Sequence, residues 1–294
     1  HQPSAETTFY FLGALSDGLG PRRHLDEITA SDLAVYVAKR RAHLSNASVN
    51  RELECFRRVL RRASQVWGVQ GLTINWRALL LPEPPGRDRH LSEDEERRLF
   101  QAVAEIRPDM EPLIRFAILS GVRLANAIGL TWADVDFTAG TIKFRVKSRR
   151  PGGDRHVLPI SQGMLVLLAN ERTNHEGYVF TYEARHRRMG IGTRHPYTTT
   201  GWRKTWKRIL EQAGIEDFRF HDLRHTAGTR ILQATGNLAL AQRLLGHKDI
   251  STTLRYAHVV MDDLRAGLAA VEQRHNNGRA HDAVTDKVLE KKGK

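Results

Sequence analysis

The stretch HDLRHTAGTR, residues 221 to 230, places two histidines and an arginine within five positions. Histidine can transfer protons or hold a metal ion, and arginine can bind phosphate through two parallel hydrogen bonds. His221 and His225 are four residues apart and share a helical face, so that His247 could complete a metal site with them. Alone, the stretch is compatible with a metal centre, with phosphate chemistry, or with a basic helix exposed to solvent.

Other parts of the chain contain further residues suited to phosphate chemistry. Arg123 follows Gly121, which is predicted to end a helix, and Lys147 lies in the turn of a predicted β-hairpin. In LLGHKDISTTLRYAH, His247 follows an apolar helix end and Tyr256 comes nine residues later. A tyrosine hydroxyl can attack phosphorus and hold it as an ester, and guanidinium groups can supply the positive charge that Mg²⁺ supplies in other phosphoryl transfers. This set is compatible with phosphoryl transfer that needs no metal or other cofactor.

The order and local context of these residues resemble the tyrosine recombinase, or phage integrase, family over nearly the whole chain. That family has an arginine at a helix start, a lysine on a β-hairpin, a His-x-x-Arg motif, a histidine or tryptophan, and then a tyrosine. The six positions are filled in order by Arg123, Lys147, His221, Arg224, His247 and Tyr256. Each motif alone is weak, and the specificity of the resemblance comes from the complete set.

The resemblance implies a role for each of the six residues. The two arginines bind the scissile phosphate and Tyr256 is the nucleophile. Lys147 protonates the departing 5′-oxygen, His221 assists proton transfer around the nucleophile, and His247 hydrogen-bonds the phosphate. The implied activity is site-specific cleavage and rejoining of DNA through a 3′-phosphotyrosyl intermediate, in integration or excision of a mobile element.

One position departs from the family pattern, and other functions remain open. The family usually has an acidic residue three positions after the first arginine, where this chain has Asn126. The resemblance gives His225 and His258 no catalytic role, so both are interpreted as packing or supporting residues. The alternatives are strand passage like that of a type IB topoisomerase, a DNA-binding protein without catalysis, and a metal site, which Arg224 beside the cation disfavours.

The charge of the chain also points to nucleic acid. The formal net charge is +13, and the excess of basic residues is spread over the predicted folded segments. We expect double-stranded DNA attachment sites as the partner. The candidate DNA-contacting residues are Arg57, Arg58, Arg61, Arg62, Arg149, Arg150, Arg187, Arg188, Arg203 and Lys204.

The pattern of prolines, glycines and apolar residues predicts two domains, mainly α-helical with a small antiparallel β-sheet. Residues 1–80 form a helical domain, which the resemblance identifies as a core-binding domain that clamps DNA. LPEPPGRDRH, residues 81–90, is predicted as a linker because its three prolines and glycine cannot continue a helix. Residues 91–274 form the catalytic domain, and residues 275–294 a basic, flexible tail.

Several elements can be placed from capping and periodicity. Thr29 is predicted to cap a helix through Asp32, and Val49 to Ala63 form one apolar face of a second helix that stops at Gly68. Ser92 with Glu95 predicts a capping box. Alternating residues predict a three-stranded sheet over WADVDFTAGTIKFRVKSRRPGGDRHVLPIS, which includes Phe137. From Gln162 onward a helical pattern is predicted, broken by a basic loop at 186–198.

The remaining expectations concern location and assembly. No long apolar run and no signal-peptide pattern is present, and the single cysteine, Cys55, lies on an apolar helical stripe. These features predict a cytoplasmic protein, associated with the nucleoid of a bacterium. The resemblance implies a homotetramer on DNA. The segment VVMDDLRAGLAAVEQ, with Leu264, Leu268 and Val271 at helical spacing, is a candidate for docking onto a neighbouring protomer or for packing within its own chain.

Overall fold

The computed structural model describes residues 5–70, 74–84, 86–146 and 154–256, together with residues 265 and 268. The chain forms two compact units, residues 1–86 and 87–294. The described residues are mainly helical with small antiparallel sheets, which confirms the predicted fold class. Among them, no helix has both the length and the apolar character needed to cross a membrane.

The first unit is built from helices. They are α1 (Ala5–Leu19), α2 (Ala30–Arg41), α3 (Asn46–Val66) and α4 (Trp76–Leu79). The predicted caps are confirmed, because Thr29 Oγ1 accepts the Asp32 N–H and Gly68 adopts a φ of +71° after α3. The predicted apolar face of α3 is buried, including Leu53, Phe56 and Leu60.

The core of the first unit contains a polar cluster as well as apolar side chains. The Glu52 carboxylate is 1% exposed and accepts hydrogen bonds from the Tyr36 hydroxyl at 2.7 Å and from Arg40 Nε at 2.9 Å. Burying a carboxylate is tolerated when it is paired and hydrogen-bonded in this way. The cluster ties α2 to α3.

The described residues between α4 and the next helix form no regular secondary structure. Leu81 is held by the Asn50 side chain through both its N–H and its carbonyl oxygen, at 2.9 Å each. At the other end, Arg89 Nη1 donates to Glu95 Oε2 at 2.9 Å. The two ends of the predicted linker are therefore hydrogen-bonded to the units that they join.

The second unit carries the remaining elements. Its helices are α5 (Glu93–Ile106), α6 (Glu111–Ser120), α7 (Leu124–Ile128), α8 (Gln162–Glu171), α9 (Arg203–Ala213), α10 (Asp222–Thr235) and α11 (Leu238–Leu245). The predicted capping box of α5 is present, with Ser92 Oγ accepting the Glu95 N–H at 3.1 Å. Leu99, Leu113, Phe116 and many further apolar side chains form the core of this unit.

The predicted three-stranded sheet is confirmed in most respects. Strands β1 (Val135–Asp136), β2 (Thr141–Val146) and β3 (Asp154–Pro159) pair antiparallel in that order. Ile142 lies opposite Leu158, and both are buried. The expectation that Phe137 continues β1 is wrong, because the strand stops at Asp136 and the Phe137 ring stacks on Trp132 instead.

A second sheet corrects the expected helical pattern after Gln162. Strands β4 (Thr181–Glu183) and β5 (Arg194–Pro196) pair antiparallel, so part of the predicted loop at 186–198 is a strand. The Tyr182 and Tyr197 rings pack 5.4 Å apart, and Asp109 accepts the Glu183 N–H at 2.8 Å. These strands are too short and too charged to show alternation, and tertiary contacts outweigh their sequence pattern.

Candidate active site

Arg224 lies at the centre of the site, on the first turn of α10. Its side chain is buried, with Nη1 donating to the Gly121 carbonyl at 2.6 Å and Nη2 to the Leu245 carbonyl at 2.5 Å. Gly121 directly follows α6, and Leu245 is the last residue of α11. One guanidinium group therefore joins the ends of two helices to the start of a third. Its fixed charge is held in place by backbone atoms.

Tyr256 is buried beside the same helix. Its side chain is 1% exposed and packs against Leu232 and Leu245. Its hydroxyl lies 2.7 Å from His225 Nδ1, and the two rings are 5.8 Å apart. We call His225, Gly228, Leu232 and Leu245 the tyrosine pocket. The pocket places an imidazole nitrogen, a group that can accept a proton, against the hydroxyl group of the tyrosine.

Gly228 makes room for the ring of Tyr256. A Cβ atom at this position would lie 3.1 Å from Tyr256 Cζ and 2.9 Å from Leu245 Cδ1. Glycine in the middle of a helix costs about 1 kcal/mol relative to alanine, so its presence in α10 has a packing reason. Gly121, with a φ of +61°, similarly approaches Leu245 and Ala227. Both glycines bring α10 and its neighbours close together.

The two histidines predicted to be catalytic flank this pocket. His221 is exposed, directly precedes α10, and its ring lies 5.5 Å from the ring of His225. His247 follows Gly246, which ends α11 with a φ of +62°. The His247 Nδ1 atom lies 2.8 Å from Thr253 Oγ1, three residues before Tyr256. The loop that leads to the tyrosine is thus tied to the end of α11.

Arg123 is placed by the same set of helix ends. It is exposed and directly precedes α7, two residues after the Gly121 carbonyl that Arg224 binds. Asn126, at the position where the family usually has an acid, is half-buried in α7 and donates its backbone N–H to the Arg123 carbonyl at 2.8 Å. Arg123 therefore lies two residues along the chain from a carbonyl group that Arg224 binds.

His156 on β3 also belongs to this neighbourhood, although it is not among the predicted site residues. Its Nε2 lies 3.1 Å from the Leu244 carbonyl, and its ring packs against Gly246. Burial lowers the pKa of His156 below 6.5, and the positive charges of Arg224 and Arg123 lower it further. The same charges make this region attractive to an anion.

Three of the candidate residues, Lys147, Arg149 and Arg150, lie outside the described residues. The strand before them, β2, ends at Val146. The strand after them begins at Asp154, whose carboxylate accepts a hydrogen bond from Lys248 Nζ at 2.6 Å. Residue 248 follows His247, so β3 begins next to the loop that carries this histidine.

The other candidate DNA-contacting residues lie at the surface. Within the first unit, the four candidate arginines on α3 (Arg57, Arg58, Arg61 and Arg62) are exposed. Arg187 and Arg188 are exposed in the turn between β4 and β5, and Arg203 and Lys204 are exposed in the first turn of α9. Cations in the first turn of a helix are disfavoured by the helix dipole. Arg203 and Lys204 therefore contribute little to the stability of the fold at these positions.

Nothing in the described part of the chain forms a cluster of three or more histidine, cysteine, aspartate or glutamate side chains suited to a metal ion. His225 and His247, two of the three histidines considered as ligands, have Nδ1 atoms within hydrogen-bond distance of Tyr256 and Thr253 respectively. Cys55 is buried in the first unit with a free thiol.

Sequence signals for the missed residues differ in strength. Gly228 could have been selected as a glycine in the middle of a predicted helix. His225 was visible in the sequence, but nothing there showed that it, four residues after His221, faces Tyr256. His156 is one residue of an alternating strand, with no spacing relation to the other six positions.

The comparison with known proteins shows the family of the chain. The model of the phage integrase family matches residues 89–262, more than half of the sequence and all six predicted catalytic positions. The chain therefore belongs to the phage integrase family.

Several curated proteins are similar to this chain. The integrase of Salmonella phage P22 is 28% identical over 190 residues, which are 63% of this chain and 47% of that protein. The shufflon-specific DNA recombinase of Escherichia coli is 26% identical over 272 residues, 88% of this chain and 65% of that protein. The tyrosine recombinase XerC of Oceanobacillus iheyensis is 27% identical over 282 residues, 90% of this chain and 87% of that protein. The chain thus spans about half to two thirds of the length of the first two relatives.

Solved structures show the same fold at low sequence identity. A lambda integrase fragment, a dimer bound to a COC′ core site, superposes with a TM-score of 0.67 at 18% identity and covers 86% of this chain and 90% of that one. The Tn1549 transposon integrase in complex with circular intermediate DNA gives a TM-score of 0.68 at 19% identity, covering 91% and 95%. These similarities establish the architecture of the chain.

Proposed function

We propose that this protein is a site-specific DNA recombinase that cleaves and rejoins double-stranded DNA through a 3′-phosphotyrosyl intermediate on Tyr256. One observation carries the proposal, in a chain that belongs to the phage integrase family. The Tyr256 hydroxyl lies 2.7 Å from the imidazole of His225, and His225 lies on the same helix, α10, as Arg224. A nucleophile, a proton acceptor and a fixed cation are the groups that the reaction needs.

The reaction conserves the energy of the bond that it breaks. The Tyr256 oxygen forms a bond to phosphorus, the bond from phosphorus to the 5′-oxygen breaks, and the phenolic proton passes to a neighbouring base. Arg224 and Arg123 stabilise the charge on the non-bridging oxygens, and Lys147 gives the 5′-oxygen a proton. The reverse attack, by a 5′-hydroxyl on the phosphotyrosine, rejoins DNA without an outside energy source.

Two histidines share the proton transfer in this proposal. His225 hydrogen-bonds the Tyr256 hydroxyl in the DNA-free chain, and His221, whose ring is 5.5 Å from that of His225, assists once the phosphate is bound. His247 donates to the phosphate. Since the Tyr256 side chain is 1% exposed, the tyrosine pocket has to open before the hydroxyl reaches a DNA phosphate.

DNA binding is proposed from charge and from the relatives. The net charge is +13, and the exposed arginines of α3 and the cations of α9 can neutralise backbone phosphates. The related lambda and Tn1549 integrases have structures in complex with DNA. In this proposal residues 1–80 clamp the DNA, residues 91–274 carry out the chemistry and residues 275–294 are a basic tail.

The finer assignments extend the same proposal. The cellular role is integration or excision of a mobile element in bacterial cytoplasm, by a homotetramer on two DNA duplexes. Of the residues proposed to dock onto a neighbouring protomer, Leu264 and Val271 lie outside the described residues, and Leu268 is 55% exposed. An exposed leucine of this kind is available for such docking.

A covalent-trapping assay tests the proposed function. DNA sites are first selected from a random duplex pool by their binding to this protein, and are then cloned into supercoiled DNA. The protein is incubated with that DNA in EDTA and quenched with SDS. We expect an adduct with the 3′-phosphate in wild type, and one reduced at least about 100-fold in Arg224→Lys, because lysine lacks the planar fork. Binding without any adduct would favour a passive DNA-binding protein.

Salt dependence tests the proposed DNA contacts. Replacing both Arg203 and Lys204 with alanine should lower the slope of log affinity against log salt by about 2 and weaken binding to all sequences alike. Lys207→Ala is the matched control, since Lys207 lies on the same helix and pairs with Glu211 at 3.5 Å. Equal effects of the two changes would contradict the assignment of the first turn of α9 to DNA.

A further inference from the structure

Arg87, the first residue of the second unit, is bound to the first residue of α10 and to the turn that precedes this helix. Its Nη1 donates to Asp217 Oδ1 at 2.7 Å, and its Nη2 donates to the Asp217 carbonyl at 2.7 Å. The same Nη2 reaches Asp222 Oδ2 at 3.1 Å. Asp217 is the one non-glycine residue with a positive φ, +44°, among the residues described. Three contacts from one guanidinium group hold this turn in its unusual conformation.

Through Asp222, Arg87 contacts the helix that carries the proposed active-site residues. Asp222 is the first residue of α10, lies between His221 and Leu223, and is 2% exposed. Its Oδ2 atom also accepts the Arg219 N–H at 2.8 Å, which closes the turn before the helix. A buried carboxylate at a helix N-terminus is favoured by the helix dipole, and it needs hydrogen-bond donors and a counter-charge. Arg87 supplies the counter-charge.

A second contact fixes the same segment one turn further along. The Leu91 N–H donates to Thr226 Oγ1 at 2.9 Å, and that hydroxyl donates to the Asp222 carbonyl at 3.0 Å. Both Leu91 and Thr226 are buried. Residues 87–91 are therefore held along the first turn of α10, on which Arg224 and His225 are found.

We propose that Arg87 is a positioning residue for the active site, which sets the orientation of Arg224 and His225 through Asp222. The inference rests on the proposed function for its effect on the reaction. Arg87 lies in the predicted linker, residues 81–90, and its contacts connect that segment to the start of α10. In a preorganised site, a displacement of about 1 Å at the reacting groups can reduce the rate about 100-fold.

The side chain of Arg87 is suited to this role in a way that lysine is not. Its two terminal nitrogens bind two carboxylates and one carbonyl at fixed angles, while lysine has a single nitrogen. Arg87→Lys should therefore retain the charge and restore only part of the activity lost in Arg87→Ala. A purely electrostatic effect on DNA would be restored in full by lysine.

The test measures cleavage and DNA binding separately, on sites selected for binding to the wild-type chain. We expect Arg87→Ala to lower the single-turnover rate of adduct formation by about 10- to 100-fold, with DNA affinity changed less than about threefold. Arg97→Ala is the matched control, since Arg97 is exposed and pairs with Asp94 one turn away on α5. An unchanged rate, or a loss in affinity alone, would overturn the proposal.

A double-mutant cycle shows whether Arg87 acts through Asp222. Asp222→Asn should slow adduct formation in the same way, and the double variant should be no slower than the worse of the two single variants. Independent, multiplying losses would show that Arg87 does not act through Asp222, and would contradict the proposal.

Hydrogen exchange gives a measurement that does not depend on activity. In Arg87→Ala, amides of the peptide covering residues 221–227 should exchange faster, while those of α6 and α8 keep their rates. If wild type forms no adduct, the proposed function fails and this exchange result still decides the positioning role. Unchanged exchange at the start of α10, or a uniform increase over the whole unit, would overturn it.

Discussion

Two tyrosines in this chain are buried to the same extent and are held in the same manner. Tyr36 in the first unit and Tyr256 in the second are each 1% exposed. Each hydroxyl has a hydrogen-bond partner at 2.7 Å, and each ring lies against a helical glycine, Gly18 or Gly228. Judged by burial and packing alone, both are core residues.

The partner of the hydroxyl separates the two tyrosines. Tyr36 donates to the Glu52 carboxylate, and burial together with that negative charge raises the pKa of Tyr36 well above its usual value. A phenol in that position stays protonated. The Tyr256 hydroxyl instead lies 2.7 Å from His225 Nδ1, an imidazole nitrogen and not a carboxylate oxygen. The chemical nature of the partner, more than the exposure of the ring, distinguishes Tyr36 from Tyr256, the proposed nucleophile.

Replacing the hydrogen-bond partners of the two tyrosine hydroxyls, His225 and Glu52, should have the largest effect on cleavage and stability. His225→Phe should slow adduct formation about 100-fold, because the phenol loses the group that orients it and accepts its proton. Glu52→Gln should leave adduct formation intact and lower the free energy of unfolding by about 1–3 kcal/mol, since Arg40 loses its buried counter-charge. Single-turnover trapping and denaturant unfolding of both variants check this. Faster cleavage in His225→Phe would identify His225 as a latch that only restrains the tyrosine.

Replacing the two glycines, Gly228 and Gly18, should give a smaller difference in cleavage rate. Gly228→Ala places a Cβ atom 3.1 Å from Tyr256 Cζ, and Gly18→Ala places one 2.5 Å from Tyr36 Cε2. Overpacking should cost both variants about 1–3 kcal/mol. Only Gly228→Ala should also slow cleavage, by roughly tenfold, because the displaced ring lies in the proposed active site. Thermal melts measure the loss of stability, and trapping rates measure the loss of cleavage. Equal cleavage rates in both variants would contradict a special role of Gly228 in the active site.

A pH effect confined to the second unit should be the smallest. The pKa of His156 is lowered in the folded chain, so the unfolded chain binds more protons below pH 6.5, and stability is lost as the pH falls through the range between the two pKa values. His156→Gln should lose less stability than wild type between pH 7.5 and pH 5.5. The melting temperatures of both proteins at the two pH values give the answer. Identical losses would show that His156 does not contribute.

The sequence predicts local features well, and contacts between residues that are distant along the chain poorly. The caps at Thr29 and Ser92 and the alternation of the strands that contain Ile142 and Leu158 follow from short-range patterns, and all are confirmed. The β4–β5 sheet was missed, because its three-residue strands depend on packing of Tyr182 and Tyr197 instead of on alternation.

The site shows the same limit. The spacing of His221, Arg224 and His225 is visible in the sequence, but which histidine meets Tyr256 depends on where the chain returns after α11. The contact of Arg224 with the Gly121 and Leu245 carbonyls joins residues about 100 and 20 positions away, which no periodicity encodes.

The most direct measurement identifies the amino acid that carries the DNA. Wild type, Tyr256→Phe and Tyr36→Phe are each trapped on the same selected site in EDTA, the adducts are digested with nuclease and protease, and the peptides are sequenced by mass spectrometry. We predict a nucleotide linked to Tyr256 through its 3′-phosphate in wild type and in Tyr36→Phe, and no adduct in Tyr256→Phe. An adduct on another residue, or one that persists in Tyr256→Phe, would contradict the assignment of Tyr256 as the nucleophile.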